Sequence, residues 1–132
     1  MIGLDTNILV RLLVGDDPDQ TERAKRFVNR HCTGETPGFI NCVVLTELVW
    51  VLTTSYGYRR TEIVDAIGNL LAGDDRVVEH HDEVRAALPD YKSGRGDFID
   101  ALIVRINRSQ GCDGTATFDR KAIKLNGFVP VN

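Results

Sequence analysis

The sequence predicts an α/β fold with a mainly parallel central sheet, and three observations carry that expectation. Short apolar runs (Ile2–Leu4, Gly38–Ile40, Val77–Val78, Thr115–Thr117, Phe128–Val131) recur along the chain. Segments of helical length and periodicity separate them, which is the pattern of strands joined by helical crossovers. The 132 residues are 42% hydrophobic and 27% charged, enough for one domain, 1–132, with a substantial core.

The elements follow in order. Ile2–Leu4 reads as a brief buried strand, followed by a turn with Asn7 or Thr6 as helix cap and a short helix through Leu13. Gly15-Asp16-Asp17-Pro18 breaks that helix. Pro18 begins a second, to about His31, with Ala24, Phe27 and Val28 inside and Arg23, Lys25, Arg26 and Arg30 outside. Gly38–Ile40 is a second strand. Asn41 caps a helix from Cys42 to about Tyr56, stopped by Gly57; from Val43 to Leu52 only Thr46 and Glu47 are polar, which predicts the most buried helix of the chain. Thr61 opens a fourth helix, closed by Gly73, and Val77–Val78 is a third strand. His80–Leu88 reads as another helix and Pro89–Gly96 as a loop. A helix with Asp97 as N-cap then runs to about Ser109, with Gly111 as its C-terminal glycine. Thr115–Thr117 is a fourth strand and Asp119 caps a short helix to Lys124. Phe128–Val131 is a last edge strand, where Pro130 is tolerated.

Composition narrows the function classes. The net charge is −3 and the pI about 5.6, so no whole-molecule basic field advertises nucleic-acid binding. A polyanionic substrate would need bound cations and local bases, and Lys92, Arg95, Arg120, Lys121 and Lys124 flank the acidic motifs. Cys32, Cys42 and Cys112 form no CxxC pair, which argues against a disulfide framework or structural zinc and points to a reducing cytoplasm. The first residues lack the pattern of a signal peptide, and no run is long enough for a membrane helix. His31, His80 and His81 fit no zinc spacing and read as surface residues.

The chemistry rests on acids in apolar company. In the stretch Gly96–Ile106, Asp97 and Asp100 lie one turn apart on a helix that is apolar on nearly every side. Capping and the helix dipole account for both as a helix start. Asp5, at the end of the first strand, is equally a turn residue, and Asp119 is a fair cap for Arg120-Lys121-Ala122. Glu47 has no capping role, so it needs either an arginine partner or a function. In an open α/β sheet, ligands bind beyond the carboxyl ends of the strands, where Asp5 and Asp119 both fall. Carboxylates brought together persist as anions only beside a cation. Oxygen-only ligands select Mg²⁺ or Mn²⁺, which suits attack of activated water on a phosphodiester.

Four motifs then resemble those of PIN-domain ribonucleases, and within them VapC-type toxins of prokaryotic toxin–antitoxin pairs. They are Leu4-Asp5-Thr6-Asn7, Glu47 in its apolar helix, Asp97-Phe98-Ile99-Asp100-Ala101-Leu102-Ile103, and Thr117-Phe118-Asp119. The resemblance implies a three-layer α/β/α sandwich in which Asp5, Glu47, Asp100 and Asp119 bind Mg²⁺ or Mn²⁺ and Asp97 is an additional acid of the site. It implies that Thr6, Asn7 and Thr117 support the acids or the scissile phosphate. It also implies an RNA substrate, a homodimer, and a VapB-type antitoxin whose C-terminal segment occupies the active-site groove. Arg105 and Asn107 depart from the pattern, since many members carry small residues there. Asp113-Gly114-Thr115 is similar to the nucleophile motif of haloacid-dehalogenase-like phosphatases, but Gly111 stands where the first Asp is required. A PIN nuclease of RNA processing outside toxin–antitoxin pairs, and a PIN-like module that binds without cutting, are the remaining alternatives.

Overall fold

A computed structural model describes residues 1–131 of the protein, which partition into two compact units, Met1–Glu79 and the residues from His80 onward. All strand pairings among the described residues are parallel, as the crossover pattern predicts.

The first unit contains β1 (Ile2–Gly3), α1 (Thr6–Val14), α2 (Pro18–His31), β2 (Gly38–Ile40), α3 (Cys42–Tyr56), α4 (Arg60–Ala72) and β3 (Arg76–Val78). Its sheet order is β1-β2-β3, with Gly3 opposite Phe39 and Ile40 opposite Val78. Backbone bonds from Leu4 N to Phe39 O (2.9 Å) and from Glu79 N to Ile40 O (2.9 Å) extend the ladder. Asp5, Asn41 and Glu79 therefore leave the sheet at one edge. Ile40, Leu45, Leu48, Leu52, Ile63 and Ile67 are fully enclosed and form the core of this unit.

Local chemistry explains most boundaries. Asn41 accepts from Val44 N at 2.9 Å to start α3, and Gly57 ends it with φ 67°. Asp17 caps α2 through Gln20 N at 3.0 Å, with Pro18 at the first helical position. The cap of α1 is neither Asn7 nor Thr6: the helix begins at Thr6, with only Leu4 and Asp5 between it and β1, and Asp5 Oδ1 accepts from Thr6 N at 2.8 Å. Helix α4 starts one residue before Thr61, because Glu62 reaches back to accept from Arg59 N at 3.1 Å.

Two further expectations fail in this unit. Helix α3 is not buried on all sides: Val43 and Trp50 are 77% and 62% exposed, and Glu47 between them is exposed as well. Uniform apolarity gave no face to choose, and the packed face turns out to be Leu45, Leu48, Val49 and Leu52. Phe27 of α2 is likewise exposed, stacked on His31 at a ring distance of 4.4 Å.

The second unit contains α5 (His81–Lys92), α6 (Phe98–Ser109), β4 (Thr115–Thr117), a 3₁₀ turn (Ala122–Lys124) and β5 (Phe128–Pro130). Strand β4 pairs with β5, Thr115 opposite Phe128 and Thr117 opposite Pro130. Helix α5 continues past Leu88 through Pro89, where a loop was expected. Proline removes one helical hydrogen bond, but this last turn is held by tertiary contacts. Tyr91 is buried edge-on to Phe98 at 5.9 Å, and Asp90 takes two bonds from Arg105 of α6, at 2.8 and 3.2 Å. The expected short helix after Asp119 is a single 3₁₀ turn, with Asp119 Oδ1 accepting from Lys121 N at 2.8 Å. Of the histidines, His31 is exposed and the other two are half-buried.

Candidate active site

The acids separate by unit. In the second unit, α6 and the segment after β4 supply Asp97, Asp100 and Asp119. Asp97 is the N-cap of α6, and its Oδ1 accepts from Asp100 N at 2.8 Å. This bond turns Asp100 into the first turn, half-buried beside Phe98 and Ala101 of the apolar face. Burial pushes the Asp100 carboxyl above its ordinary value, and the Asp97 carboxylate and then Asp119 push it the same way. The charges of Asp97 and Asp119 thus both bear on Asp100. Thr117 Oγ1 accepts from Asp119 N at 2.9 Å, so the threonine of the fourth motif fixes the backbone of its acid.

Asp5, Thr6, Asn7 and Glu47 belong to the first unit. Asp5 is exposed at the start of α1, its carboxylate already holding Thr6 N. Thr6 is only 3% exposed, and its Oγ1 is buried without a hydrogen-bond partner. An orphaned hydroxyl of this kind is uncommon in a folded protein and fits a position completed by something outside the chain. Asn7 is exposed and lines a groove of about 340 Å³ between α1 and α2, together with Ile8, Arg11, Arg23 and Phe27. Glu47 is exposed and so needs no arginine partner to be tolerated.

Glu79 is an acid that the sequence reasoning passed over. It follows β3 at the same sheet edge as Asp5, and its Oε1 accepts from Cys42 N at 2.9 Å, helping Asn41 to cap α3. The rule that singled out Asp5, an acid just past a strand end, also identifies Glu79.

Every acid in this set offers hard oxygen donors, which suits Mg²⁺ or Mn²⁺. Among the described residues, no three His, Cys, Asp or Glu side chains form a group able to hold a metal ion between them. Mg²⁺ asks for less, since it is commonly held by one or two carboxylates and retains several waters. The crowding at Asp100 is of the kind a cation relieves. The oxygen-only donor chemistry therefore fits a Mg²⁺-type ion. The expected substrate-side bases Lys92, Arg95, Arg120, Lys121 and Lys124 are all exposed in the second unit.

The two departures from the family pattern have structural partners. Arg105 makes the bidentate pair with Asp90, and Asn107 Nδ2 donates to Thr115 Oγ1 at 3.0 Å.

The chain is 28% identical over 129 residues to the VapC ribonuclease of Aquifex aeolicus (strain VF5), covering 98% of this chain and 94% of that one. The family model for the PIN domain matches residues 2–127, which include all four acidic motifs, and the chain belongs to the PIN domain family.

Proposed function

We propose that the protein is a Mg²⁺- or Mn²⁺-dependent endoribonuclease and the toxin of a VapBC-type pair. The observation that carries the reading is the set of acids on α6 and after β4 in a chain of the PIN family, with Asp97 bonded to Asp100 N at 2.8 Å and the Asp100 carboxyl raised above its ordinary value by burial and by the charges of Asp97 and Asp119. A nuclease is the coarser conclusion that the family and the VapC ribonuclease relative support.

In this reading Asp5, Glu47, Asp100 and Asp119 are the metal ligands. Asp97 orients Asp100 through the 2.8 Å bond to its amide. When bound, the ion would polarise the scissile phosphate and activate a water for in-line attack. The chain's own part is to hold the acids as anions, to keep Asp119 in place through Thr117, and to gather the RNA backbone with Arg95, Arg120 and the neighbouring lysines. Thr6 and Asn7 support the acids or the phosphate at the start of α1, where backbone N–H groups favour an anion.

Pairing with a VapB-type antitoxin, homodimerisation and a cytoplasmic location extend the same reading from the relative's name and the motif resemblance. The groove between α1 and α2 combines Ile8 and Phe27 with Arg11 and Arg23, a lining that suits an apolar segment carrying acids. None of the helices among the described residues is long and apolar enough to cross a membrane.

The test is cleavage of a mixed RNA pool by purified protein, with Mg²⁺, with Mn²⁺ and with a chelator. Metal-restored cutting that disappears in Asp100→Asn supports the reading. Equal cutting by parent and Asp100→Asn, or no cutting under any metal, overturns it.

A further inference from the structure

Asn107 was singled out as a departure from the family pattern, and neither capping nor the acid chemistry uses it. It lies seven residues after Asp100 on α6, within about 20° of two full turns and about 10.5 Å along the axis. The two side chains thus share one face of the helix. Asn107 Nδ2 donates to Thr115 Oγ1, the first residue of β4, at 3.0 Å. Thr117 faces the same way as Thr115, two residues on. Its hydroxyl accepts from Asp119 N at 2.9 Å. Four residues of extended chain cover about 13 Å, similar to the stretch of helix between Asn107 and Asp100. Strand β4 is therefore anchored at the far end of α6 and carries Asp119 back along the helix toward its first turn.

The backbone on the other side of β4 is equally close-set. Thr115 N donates to Gly127 O at 2.9 Å, and a Cβ on Gly127 would stand 2.5 Å from Val104 Cγ1 in the middle of α6. Backbone pairing holds β4 against β5, whereas the Asn107–Thr115 bond is a side-chain link that ties the register of β4 directly to α6.

We propose that Asn107 and Thr115 are positioning residues for Asp119, setting its reach toward Asp100. This rests on the reading of Asp100 and Asp119 as ligands of one metal site. Such sites tolerate displacements of only about half an ångström, so a side-chain bond more than 10 Å away along the helix controls ion affinity without touching the ion.

The experiment compares the full-length parent with Asn107→Ala, Thr115→Val, Thr115→Ser and the Asn107→Ala/Thr115→Val double variant. Mn²⁺ affinity is measured by calorimetry, RNA cleavage by kcat and KM, and exchange of the Asp119 amide by NMR in metal-free protein. Asn107→Ala and Thr115→Val are each expected to weaken Mn²⁺ binding and lower kcat about tenfold with KM little changed. The double variant should be no worse than either single one, because the two act through one bond. Thr115→Ser retains the hydroxyl and should match the parent. The Asp119 amide should exchange about tenfold faster in the two disruptive variants while the amides of α6 do not. Thr115→Val is nearly isosteric and covers the case in which Asn107→Ala folds poorly. Parental Mn²⁺ affinity and parental Asp119 exchange in Thr115→Val overturn the proposal. If the parent itself neither binds Mn²⁺ nor cuts RNA, the nuclease reading fails, and the Asp119 exchange alone decides whether the anchor holds.

Discussion

Helices α3 and α6 each carry acids among apolar residues, yet they treat them in opposite ways. Glu47 stands exposed between Val43 and Trp50, while Leu45, Leu48 and Leu52 on the other face are fully enclosed. Asp100 is drawn half into the apolar surroundings of α6, tethered by Asp97 and crowded by Asp119. Apolar company in sequence is therefore no measure of an acid's burial. A second carboxylate nearby is better evidence, since it raises the cost of keeping the charge and so points to a cation.

The comparison is broken most severely inside α3. Leu48→Ala leaves a cavity in the first unit and should cost about 2–5 kcal/mol, enough to lower Tm clearly in a thermal melt. Trp50→Ala on the exposed face should stay within about 0.5 kcal/mol despite removing a larger side chain. Equal losses would mean that the exposed face of α3 is covered in solution.

The Arg105–Asp90 clamp comes next. Its side chains are 30% and 32% exposed, so solvent screens part of a two-bond ion pair and Arg105→Ala should cost only about 1 kcal/mol. A double-mutant cycle with Asp90→Ala measures the coupling. The exposed Arg59–Glu62 pair should show almost none by the same cycle.

A smaller effect concerns pH in chelator-treated protein. The Asp100 carboxyl is raised in the folded state, so between the unfolded and folded values the native state binds more protons than the unfolded chain. Stability from this group is then greatest below the unfolded value and falls as pH rises through that window. Asp100→Asn should abolish this segment of the Tm-versus-pH curve and be somewhat more stable than the parent at neutral pH. Asp16 moves oppositely: the Tyr56 hydroxyl, bonded at 2.8 Å, and Arg11 hold its carboxyl below the ordinary range. Its contribution is present above the unfolded value and lost as pH falls through the folded one.

What could be read from sequence was local. Asn41, Gly57 and Asp97 start or stop helices through bonds within three to five residues, and each does so here. The third and fourth acidic motifs, with Asp97, Asp100, Thr117 and Asp119, likewise come together within one unit. What escaped depends on partners distant in sequence. The exposed face of α3 is set by which neighbours cover it, and the last turn of α5 survives Pro89 because Tyr91 and Asp90 are held from α6. Asp5 displaced Asn7 and Thr6 as cap because the strand ends one residue earlier than its apolar run suggested. Glu79 escaped although the Val77–Val78 strand before it was legible, because its bond to Cys42 N depends on β3 lying beside the end of β2.

The central claim is that Asp100 serves a cation rather than the helix. Asn caps and packs much as Asp does but lacks the charge, so Asp100→Asn separates the two roles in one measurement. RNA cleavage rate and Tm should be recorded together, with and without Mn²⁺, for the parent and this variant. The account predicts that Mn²⁺ raises the Tm of the parent, and that the variant is at least as stable without metal, gains little from it and loses most cleavage. A variant that cuts RNA like the parent and shows the same Mn²⁺-dependent rise in Tm would contradict it.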